Sequence, residues 1–474
     1  MSRSMLYSFW SLFIAVHTWL FYEESLGLNG LIFSMVLVSF LTWYHQLQTQ
    51  RKWWLGAGGH LISALAVFWH GDFTSSLMYY LSSLVVAGLM YSPKGSLPVL
   101  LLNGLLGSIG SALVASVPVL WADMRKSLAE LPFVSGITSS KAYLYVAPAT
   151  VSVLFYLLYY SANPDFFLDI SFPDFELNFK LAGYVFMGVI ITAPFFFPWG
   201  LAGLVEWDKD KVDALKRYKS KNKGSKALGL AYENLQGRAM FGMLNLLISI
   251  FLVFNMLQVF IPQMVRSHSN HSQQVHQGFE TLMISIVIAI LLMMYYFRGN
   301  QNFYSGRARL IRMAMVWILL NGLLALFTCY KNMLYVDLYG LTYKRIWVFI
   351  GIVLTAIGLL FTFYKIQNLK TNWYLLRRNA WTLYFVLALY GIADWDRVIV
   401  WYNVNFAEEL DMAYVTSLGT TTLPYLTDRL ADNDPRIEVY RKRIDEKVLS
   451  LQLTRSSWQS QTLDDVWLRQ KLVR

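Results

Sequence analysis

Charged side chains gather where a long apolar stretch ends near residue 395, and they are the first candidates for chemistry. Asp394, Asp396 and Arg397 lie almost side by side there. Two carboxylates beside an arginine can hold a metal ion or form an acid–base pair. Charges at the end of an apolar helix also commonly do no more than anchor that end at the membrane interface. Both interpretations remain open from the sequence.

A second polar group interrupts the apolar pattern within Tyr335–Arg345. Gly340 suits a tight turn between two helices. Because a charged carboxylate near a membrane interface needs a partner, we predict that Asp337 pairs with Arg345 across this turn. The pair either pins the turn or belongs to a binding or catalytic site. Both groups together form a predicted interfacial polar cluster: Tyr335, Asp337, Tyr339, Arg345, Asp394, Asp396, Arg397 and Asn403.

Metal binding has only weak candidates, which are His268, His271 and His276 in one polar loop. Their spacing matches neither HExxH nor a zinc finger, and a loop rich in Ser, Asn and Gln is usually solvated. The single cysteine, Cys329, excludes an internal disulfide and a cysteine metal cage. No nucleophile elbow and no phosphate-binding glycine loop is present in the sequence. We therefore predict no metal and no cofactor, and we assign no catalytic residue.

Long apolar stretches must position these residues. Of 474 residues 56% are hydrophobic and 15% charged, against about 25% charged in a typical soluble domain. About 20 apolar helical residues span a bilayer, and a helix satisfies its own backbone groups there. We predict an all-α fold, a polytopic transmembrane helical bundle of about 11–13 spans. The expected spans are 5–22, 27–44, 54–70, 73–91, 96–118, 142–161, 181–203, 240–262, 278–297, 308–329, 346–366 and 379–395.

Two features of these spans bear on transport. Pro194 and Pro198 flank three phenylalanines and predict a kinked or broken helix, which either lines a cavity or simply packs. Polar residues inside spans line a pathway or form hydrogen bonds between helices. They are His17, His60, Asn103, Asn245, Asn255, Gln258 and Asn321. No Asp or Glu lies in the middle of a predicted span, which argues against a proton-coupled transporter.

Basic loops between the spans account for much of the net charge of +11. Lys and Arg are retained on the cytoplasmic side of inner-membrane proteins, and basic clusters there bind anionic lipid headgroups. The loop 204–239 carries the main cluster: Lys216, Arg217, Lys219, Lys221, Lys223 and Lys226. We predict a multi-pass protein of the bacterial inner membrane whose partners are the bilayer and its anionic headgroups, with no nucleic acid.

The direction of insertion is ambiguous in the sequence. The basic loops of the C-terminal half place the tail after residue 395 outside, whereas Arg3, Arg51 and Lys52 place the N-terminus inside. An inside start and an outside end require an odd number of spans. Either one of the spans given above is wrong or one charge signal misleads.

Three units are predicted along the chain: N-terminal spans 1–135, a core 136–395 that contains the basic loop, and a polar, partly helical tail 396–474. Asp434-Pro435 is typical of a helix start. Apolar residues at helical spacing follow, namely Ile437, Tyr440, Ile444, Val448 and Leu451, with Trp458, Leu463, Trp467 and Leu472 further on. We predict a small helical C-terminal appendage, with which a membrane or periplasmic protein can associate.

Several of these segments resemble one group of bacterial membrane proteins. The run Tyr335–Arg345 resembles a stretch of the DUF4173 group, which is related in appearance to the DUF4153 proteins. The other matches are an ADPxF element at 162–166 with Asn163 for the usual Asp, an R…GF…L element at 266–280, an NxDxxIxxYN element at 392–404 without the first Asn, and an LG…LPxL element at 418–426. The resemblance covers roughly residues 140–430. It implies membership in an uncharacterised family and transfers no catalytic residues.

Three functions follow from these observations. The preferred one is a non-enzymatic membrane component, such as a scaffold, assembly partner or sensory subunit, because it needs no catalytic residues. A transporter or channel for a small solute is the first alternative, although no inverted repeat is visible. The second is a membrane-embedded enzyme acting on a lipid-linked substrate. It requires Asp337, Arg345, Asp394 and Arg397 to converge in an open cavity.

Overall fold

A computed structural model describes residues 3–116, 119, 152, 178–217, 229–260, 288–407, 411–432, 435–453 and 457–472. Among these residues helices are the only repeating secondary structure, with one isolated bridge between Ala214 and Lys370. The predicted all-α fold is confirmed. The predicted span 142–161, the resemblance elements at 162–166 and 266–280, and the three histidines of the polar loop lie outside the described residues. The division into three units stays a prediction.

The first group of helices packs around one apolar core. Its members are α1 (Arg3–Phe21), α2 (Leu28–Tyr44), α3 (Arg51–Trp69), α4 (Phe73–Tyr91), α5 (Leu97–Gly110, continued by the π-helical turn Ser111–Ala115), α6 (Phe179–Phe196) and α7 (Ala202–Asp210). Short loops make α1 to α5 run alternately up and down, and α6 packs against α1. Leu41, Leu100 and Phe195 are almost completely buried in this core.

The break between α6 and α7 confirms the prediction made from the two prolines. Pro198 has no amide hydrogen to donate, and it disfavours helical backbone at Phe197, so α6 ends before them. The predicted span 181–203 was therefore too long. The released backbone packs beside the middle of α5, where the Leu201 amide donates to Oδ1 of Asn103 at 2.9 Å. The Trp199 ring fills the space that Gly110 leaves open.

A second group of helices follows: α8 (Leu230–Phe260), α9 (residues 288–296), α10 (Arg307–Tyr339), α11 (Tyr343–Gln367) and α12 (Asn372–Tyr390). Helix α10 packs between α8 and α11, and α12 contacts both α11 and the first group, so α12 joins the two. Helices α8 and α10 extend about ten residues beyond the predicted spans. Hydropathy marks only the part suited to hydrocarbon, whereas the helical hydrogen bonds continue past it.

The C-terminal residues form a separate helical unit, called the cap here. It comprises α13 (Trp395–Phe406), α14 (Met412–Ser417), α15 (Leu423–Ala431), α16 (Pro435–Glu438), α17 (Arg441–Leu453) and α18 (Leu463–Leu472). Ile437 and Ile444 are fully buried in its core, which confirms the apolar stripe. The single predicted helix is interrupted after Glu438. Trp458 and Leu463 are exposed, and Leu468 is buried instead.

The described connections between helices lie at two ends of the structure. At the cap end, loops 22–27, 70–72, 340–342 and 391–394 meet the cap or one another. At the basic end, the loops 45–50, 92–96, 197–217, 297–306 and 368–371 come together. Because the helices run between these ends, residues far apart in sequence meet at each.

Within the part of the chain that the structure describes, six helices are long and apolar enough to cross a membrane: Phe73–Tyr91, Leu97–Ala115, Phe179–Phe196, Leu230–Leu257, Arg307–Tyr339 and Tyr343–Gln367. Two shorter apolar helices, Met5–Phe21 and Leu28–Tyr44, pack with them. Many large apolar side chains on these helices are exposed rather than buried. The fold is therefore that of a helical membrane protein.

We predict that Gly104→Ala lowers the unfolding temperature in detergent, with a loss of about 2 kcal/mol, because a Cβ atom at Gly104 would overlap the Leu84 carbonyl of α4. Gly322→Ala in α10 is the matched control, since no atom lies within 4 Å of the added methyl. It should leave the melting temperature unchanged or raise it slightly. Equal melting temperatures for both variants would show that α4 and α5 do not pack this closely.

Candidate functional site

The turn between α10 and α11 is held by a side chain of the cap. Gly340 has a φ of +77°, a conformation that favours glycine, and a Cβ atom there would strike Asn403. The Asn403 amide Nδ2 donates to the Leu341 carbonyl at 2.9 Å, and the Leu341 amide donates to Oδ1 of Asn403. Asn403 is buried, so its side chain takes the place of water as hydrogen-bond partner for both the N–H and the C=O of Leu341.

Arg345 caps the end of α10 rather than pairing with Asp337. Its guanidinium donates to the carbonyls of Tyr339, at 2.9 Å, and Gly340. Asp337 accepts a hydrogen bond from the Tyr402 hydroxyl at 2.9 Å. Among the described residues no ion pair joins Asp337 and Arg345, so that predicted pair is wrong. The unpaired carbonyls at the C-terminal end of a helix carry partial negative charge and attract the arginine first.

Tyr335 and Tyr339 lie one helical turn apart on α10, and their rings are 5.7 Å from centroid to centroid. The Tyr339 ring also lies 5.8 Å from the guanidinium carbon of Arg345. Tyr339 therefore lies next to the arginine that caps its own helix, and Tyr335 packs on Tyr339. Their positions indicate a structural role at this helix end.

Asp396 ties the start of α11 to the cap. Its carboxylate accepts from the Tyr343 hydroxyl at 2.8 Å and from the Gly419 amide at 2.8 Å. The Tyr343 amide in turn donates to the Tyr414 hydroxyl at 3.1 Å. Both oxygens of Asp396 are thus engaged by groups from two different segments.

Arg397 forms ion pairs with Asp394 and with Asp464, a residue that the sequence analysis missed. Asp394 caps α13 by accepting from the Arg397 amide at 3.0 Å. The Arg397 guanidinium lies 2.6 Å from Asp464 and 3.3 Å from Asp394, and 4.4 Å from the Trp467 ring centroid. Burial and the neighbouring Asp394 raise the pKa of Asp464 in spite of Arg397. One arginine therefore balances two carboxylates.

His70 extends this cluster to the first group of helices. Its Nε2 is 2.9 Å from the Gly391 carbonyl, and its Nδ1 is 3.9 Å from Oδ2 of Asp464. Nearby, the amides of Leu28 and Asn29 donate to carbonyls of the tail segment 459–461. No local pattern in the sequence marks His70 or Asp464, because Asp464 is 67 residues from Arg397 and His70 is 321 residues from Gly391. The cap is thereby attached to α1–α4 as well as to α10–α12.

The four residues proposed for an enzyme do not share one open cavity. A cleft of about 480 Å³ at the cap end is lined by Asp337, Trp401, Tyr402 and Phe406. Arg345 does not line it, and neither does the pair of Asp394 with Arg397, which is directed to Asp464. The arrangement is suited to attaching the cap, with Asp337 as the one predicted residue left at an open surface.

A second ionic cluster joins loops at the basic end. Asp208 accepts from the Ser96 amide at 2.7 Å, from the Trp373 indole at 2.9 Å and from Arg377 at 2.9 Å. Arg377 also lies 2.8 Å from Asp213. Burial alone would raise the pKa of Asp208, but hydrogen bonds from Arg377, Ser96 and Trp373 outweigh it and lower that pKa. These contacts fasten three segments: the loop 92–96, the stretch 197–217 and the start of α12.

The predicted headgroup cluster begins next to these residues. Lys216 and Arg217 are exposed and follow a backbone contact in which the Leu215 amide donates to the Leu369 carbonyl at 2.8 Å. The rest of that cluster, Lys219, Lys221, Lys223 and Lys226, lies outside the described residues. As for metals, the described part of the chain contains no group of three His, Cys, Asp or Glu side chains placed to hold an ion.

Fold and site together define a helical membrane protein with a docked C-terminal cap. The chain belongs to the DUF4153 family, a domain of unknown function whose profile matches residues 12–429. The predicted resemblance is thus confirmed at the level of DUF4153, while the DUF4173 group is not the one matched, and the match begins well before residue 140. No curated protein and no solved structure matches the chain.

The described segments that carry the resemblance meet at one place. Residues 335–345 form the turn that Asn403 holds, and residues 392–404 supply Asn403 itself. Residues 418–426 supply the Gly419 amide that binds Asp396. These segments are those that attach the cap to α10 and α11.

We predict that Asn403→Asp destabilises the attachment by about 2 kcal/mol, because a carboxylate cannot donate to the Leu341 carbonyl and leaves that buried group without its partner. Asn405→Asp is the control, since Asn405 is exposed and its amide bonds only to the Trp401 carbonyl of its own helix. Both variants are compared with the wild type by thermal unfolding and by limited proteolysis of the cap. Equal protease resistance of the two variants would contradict this role of Asn403.

We also predict a pH dependence from Asp208. Because its pKa is lowered in the folded protein, its ionised form stabilises the fold above about pH 4, and this contribution is lost as the pH falls through the folded pKa. Asp208→Asn should lower the free energy of unfolding at neutral pH by about 2 kcal/mol, and the unfolding temperature with it. The variant should also lose less stability than the wild type as the pH falls. The exposed neighbour Asp210→Asn should do neither. Parallel pH curves for wild type and Asp208→Asn would refute the assignment.

Proposed function

We propose that this chain is a multi-pass protein of the bacterial inner membrane and a non-enzymatic scaffold. In this proposal the helices hold the cap rigidly at the outer face, where a membrane or periplasmic protein partner binds it. The main support for this proposal is that predicted interfacial polar residues bind to groups that attach the cap. Asn403, Asp396 and Arg397 direct their polar atoms to groups that attach the cap. Buried and partly buried polar groups that join separate elements in this way select one arrangement of those elements.

Aromatic side chains support the membrane placement. Exposed Trp and Tyr residues are typical of both membrane–water interfaces. At the cap end the exposed aromatic residues include Trp19, Trp69, Phe73, Trp347 and Trp458. At the basic end they include Trp43, Trp54, Trp207, Tyr232 and Tyr364. Two such belts, one at each end of the helices, favour helices that cross the bilayer from one end to the other.

Charge supports the direction of insertion. The loops 22–27, 70–72, 340–342 and 391–394 at the cap end contain no Lys or Arg, whereas the basic end holds Arg51, Lys52, Lys94, Lys211, Lys216, Arg217, Lys370 and Arg378. Under the positive-inside rule the basic end is cytoplasmic and the cap is outside. The start of α1 lies at the basic end, so the N-terminal and C-terminal charge signals agree. Exposed Lys216 and Arg217 are then suited to anionic headgroups.

The cap surface supports a protein partner. Val439, in the break between α16 and α17, is 82% exposed, and Leu449 on α17 is also exposed. A transport function receives no comparable support, because the broken segment after α6 is packed by Trp199 and Asn103. An enzymatic function would need the charged residues at one open cleft, where only Asp337 lies.

Cysteine labelling tests the orientation. In a Cys329→Ala background, Val439→Cys should react with a membrane-impermeant maleimide on intact spheroplasts. Lys209→Cys, exposed at the basic end, should react only after permeabilisation. The reverse pattern would overturn the orientation, and labelling of both from one side would overturn the multi-pass placement.

A matched pair of substitutions tests the scaffold. Wild-type protein purified from native membranes should carry another chain in fixed stoichiometry, and Val439→Arg should remove that chain by placing a charge in the contact. Val212→Arg is the same substitution at an exposed position of the basic end and should retain it. Recovery of the wild-type protein alone, or equal loss in both variants, would count against a scaffold that acts through the cap.

A further inference from the structure

One open cleft at the cap end lies between α10 and the cap helix α13. It has a volume of about 480 Å³ and is lined by Asp337 near the end of α10 and by Trp401, Tyr402 and Phe406 of α13. Trp401 and Phe406 are about half exposed, and Asp337 is exposed. A carboxylate therefore faces three aromatic rings across an accessible space.

The three rings lie along one helix and contact one another. Ring centroids of Trp401 and Phe406 are 5.4 Å apart, and those of Tyr402 and Phe406 are 5.5 Å apart. The Tyr402 hydroxyl donates to Oδ1 of Asp337 at 2.9 Å. Burial and the neighbouring carboxylate raise the pKa of Tyr402, so this donor stays protonated. The contact fixes the carboxylate beside the rings.

Asp337 has no ion-pair partner among the described residues. Arg345, the partner predicted for Asp337 from the sequence, is engaged by the carbonyls of Tyr339 and Gly340. Aromatic faces carry negative quadrupole density and attract cations, most clearly alkylammonium groups. The cleft thus combines a fixed carboxylate with rings that stabilise an organic cation.

We propose that this cleft binds an alkylammonium group, and that its source is the headgroup of a phosphatidylethanolamine lipid. The position on α10 favours a lipid over a soluble amine. Asp337 lies one helical turn beyond Met333 and Leu334, which are exposed apolar residues on the same face. Leu338 beside it is exposed as well. Acyl chains along this face place the headgroup amine at the level of Asp337.

Two binding measurements distinguish the sources of the cation. The first is native mass spectrometry of protein purified from membranes that contain both phosphatidylethanolamine and phosphatidylglycerol. It measures how many molecules of each lipid stay bound to the protein. The second is calorimetric titration with choline chloride against sodium chloride at equal ionic strength. The wild type should retain phosphatidylethanolamine in preference to phosphatidylglycerol. Asp337→Asn, which keeps an acceptor for Tyr402 but removes the charge, should weaken that retention about tenfold.

Two further variants complete the experiment. Asp445→Asn removes an exposed carboxylate from α17, outside the cleft, and should retain the lipid as the wild type does. Trp401→Leu keeps the charge and removes one ring, and it should also weaken retention, so the test stands even if Asp337→Asn folds poorly. Choline binding that depends on Asp337, without lipid preference, would support the alkylammonium site and assign it to a soluble amine. The proposal would be overturned if the wild type, Asp337→Asn and Trp401→Leu all retained phosphatidylethanolamine equally and all bound choline equally.

Discussion

The backbone of one short turn imposes the main constraint on this structure. Residues 340–342 end α10 and begin α11, and a buried turn must find partners for its peptide groups. Asn403 pairs with both groups of Leu341, and Arg345 takes the carbonyls at the end of α10. Gly340 is needed because its backbone has positive φ and because any side chain would strike Asn403. The turn is therefore completed only when α13 of the cap is in place.

Both ends of the helices are fastened by the same physical device. At the cap end one arginine, Arg397, lies between Asp394 and Asp464, and at the basic end Arg377 lies between Asp208 and Asp213. Each cluster joins segments that are far apart in the chain. Partly buried ionic groups add little net stability but are costly to leave unpaired, so they select one arrangement of the segments. This explains how residues with the appearance of a reaction centre serve attachment, while Asp337 remains at an open cleft.

Features that depend on nearby residues were predictable from the sequence, and features that depend on distant residues were not. Helices with strong apolar runs, the break at Pro198 and the stripe of Ile437 and Ile444 were predictable, because each depends on residues within a few turns. The Asp337–Arg345 pair was wrong because sequence proximity does not show that the carbonyls of α10 compete for the arginine. His70 and Asp464 were missed because their contact joins the loop after α3 to α18. Hydropathy likewise underestimated α8 and α10, whose polar ends remain helical.

The sequence by itself determined that this protein is built from apolar helices and where its basic loops fall. Those properties follow from composition and from local periodicity, and bilayer physics acts on them directly. Only the tertiary structure decided which polar residues attach the cap and that Asp337 remains accessible to solvent. That outcome depends on α13 crossing the turn between α10 and α11, which sets Asn403 on Leu341 and the aromatic rings beside Asp337. A side chain's partners are decided by distances in space, and no spacing along the chain contains them.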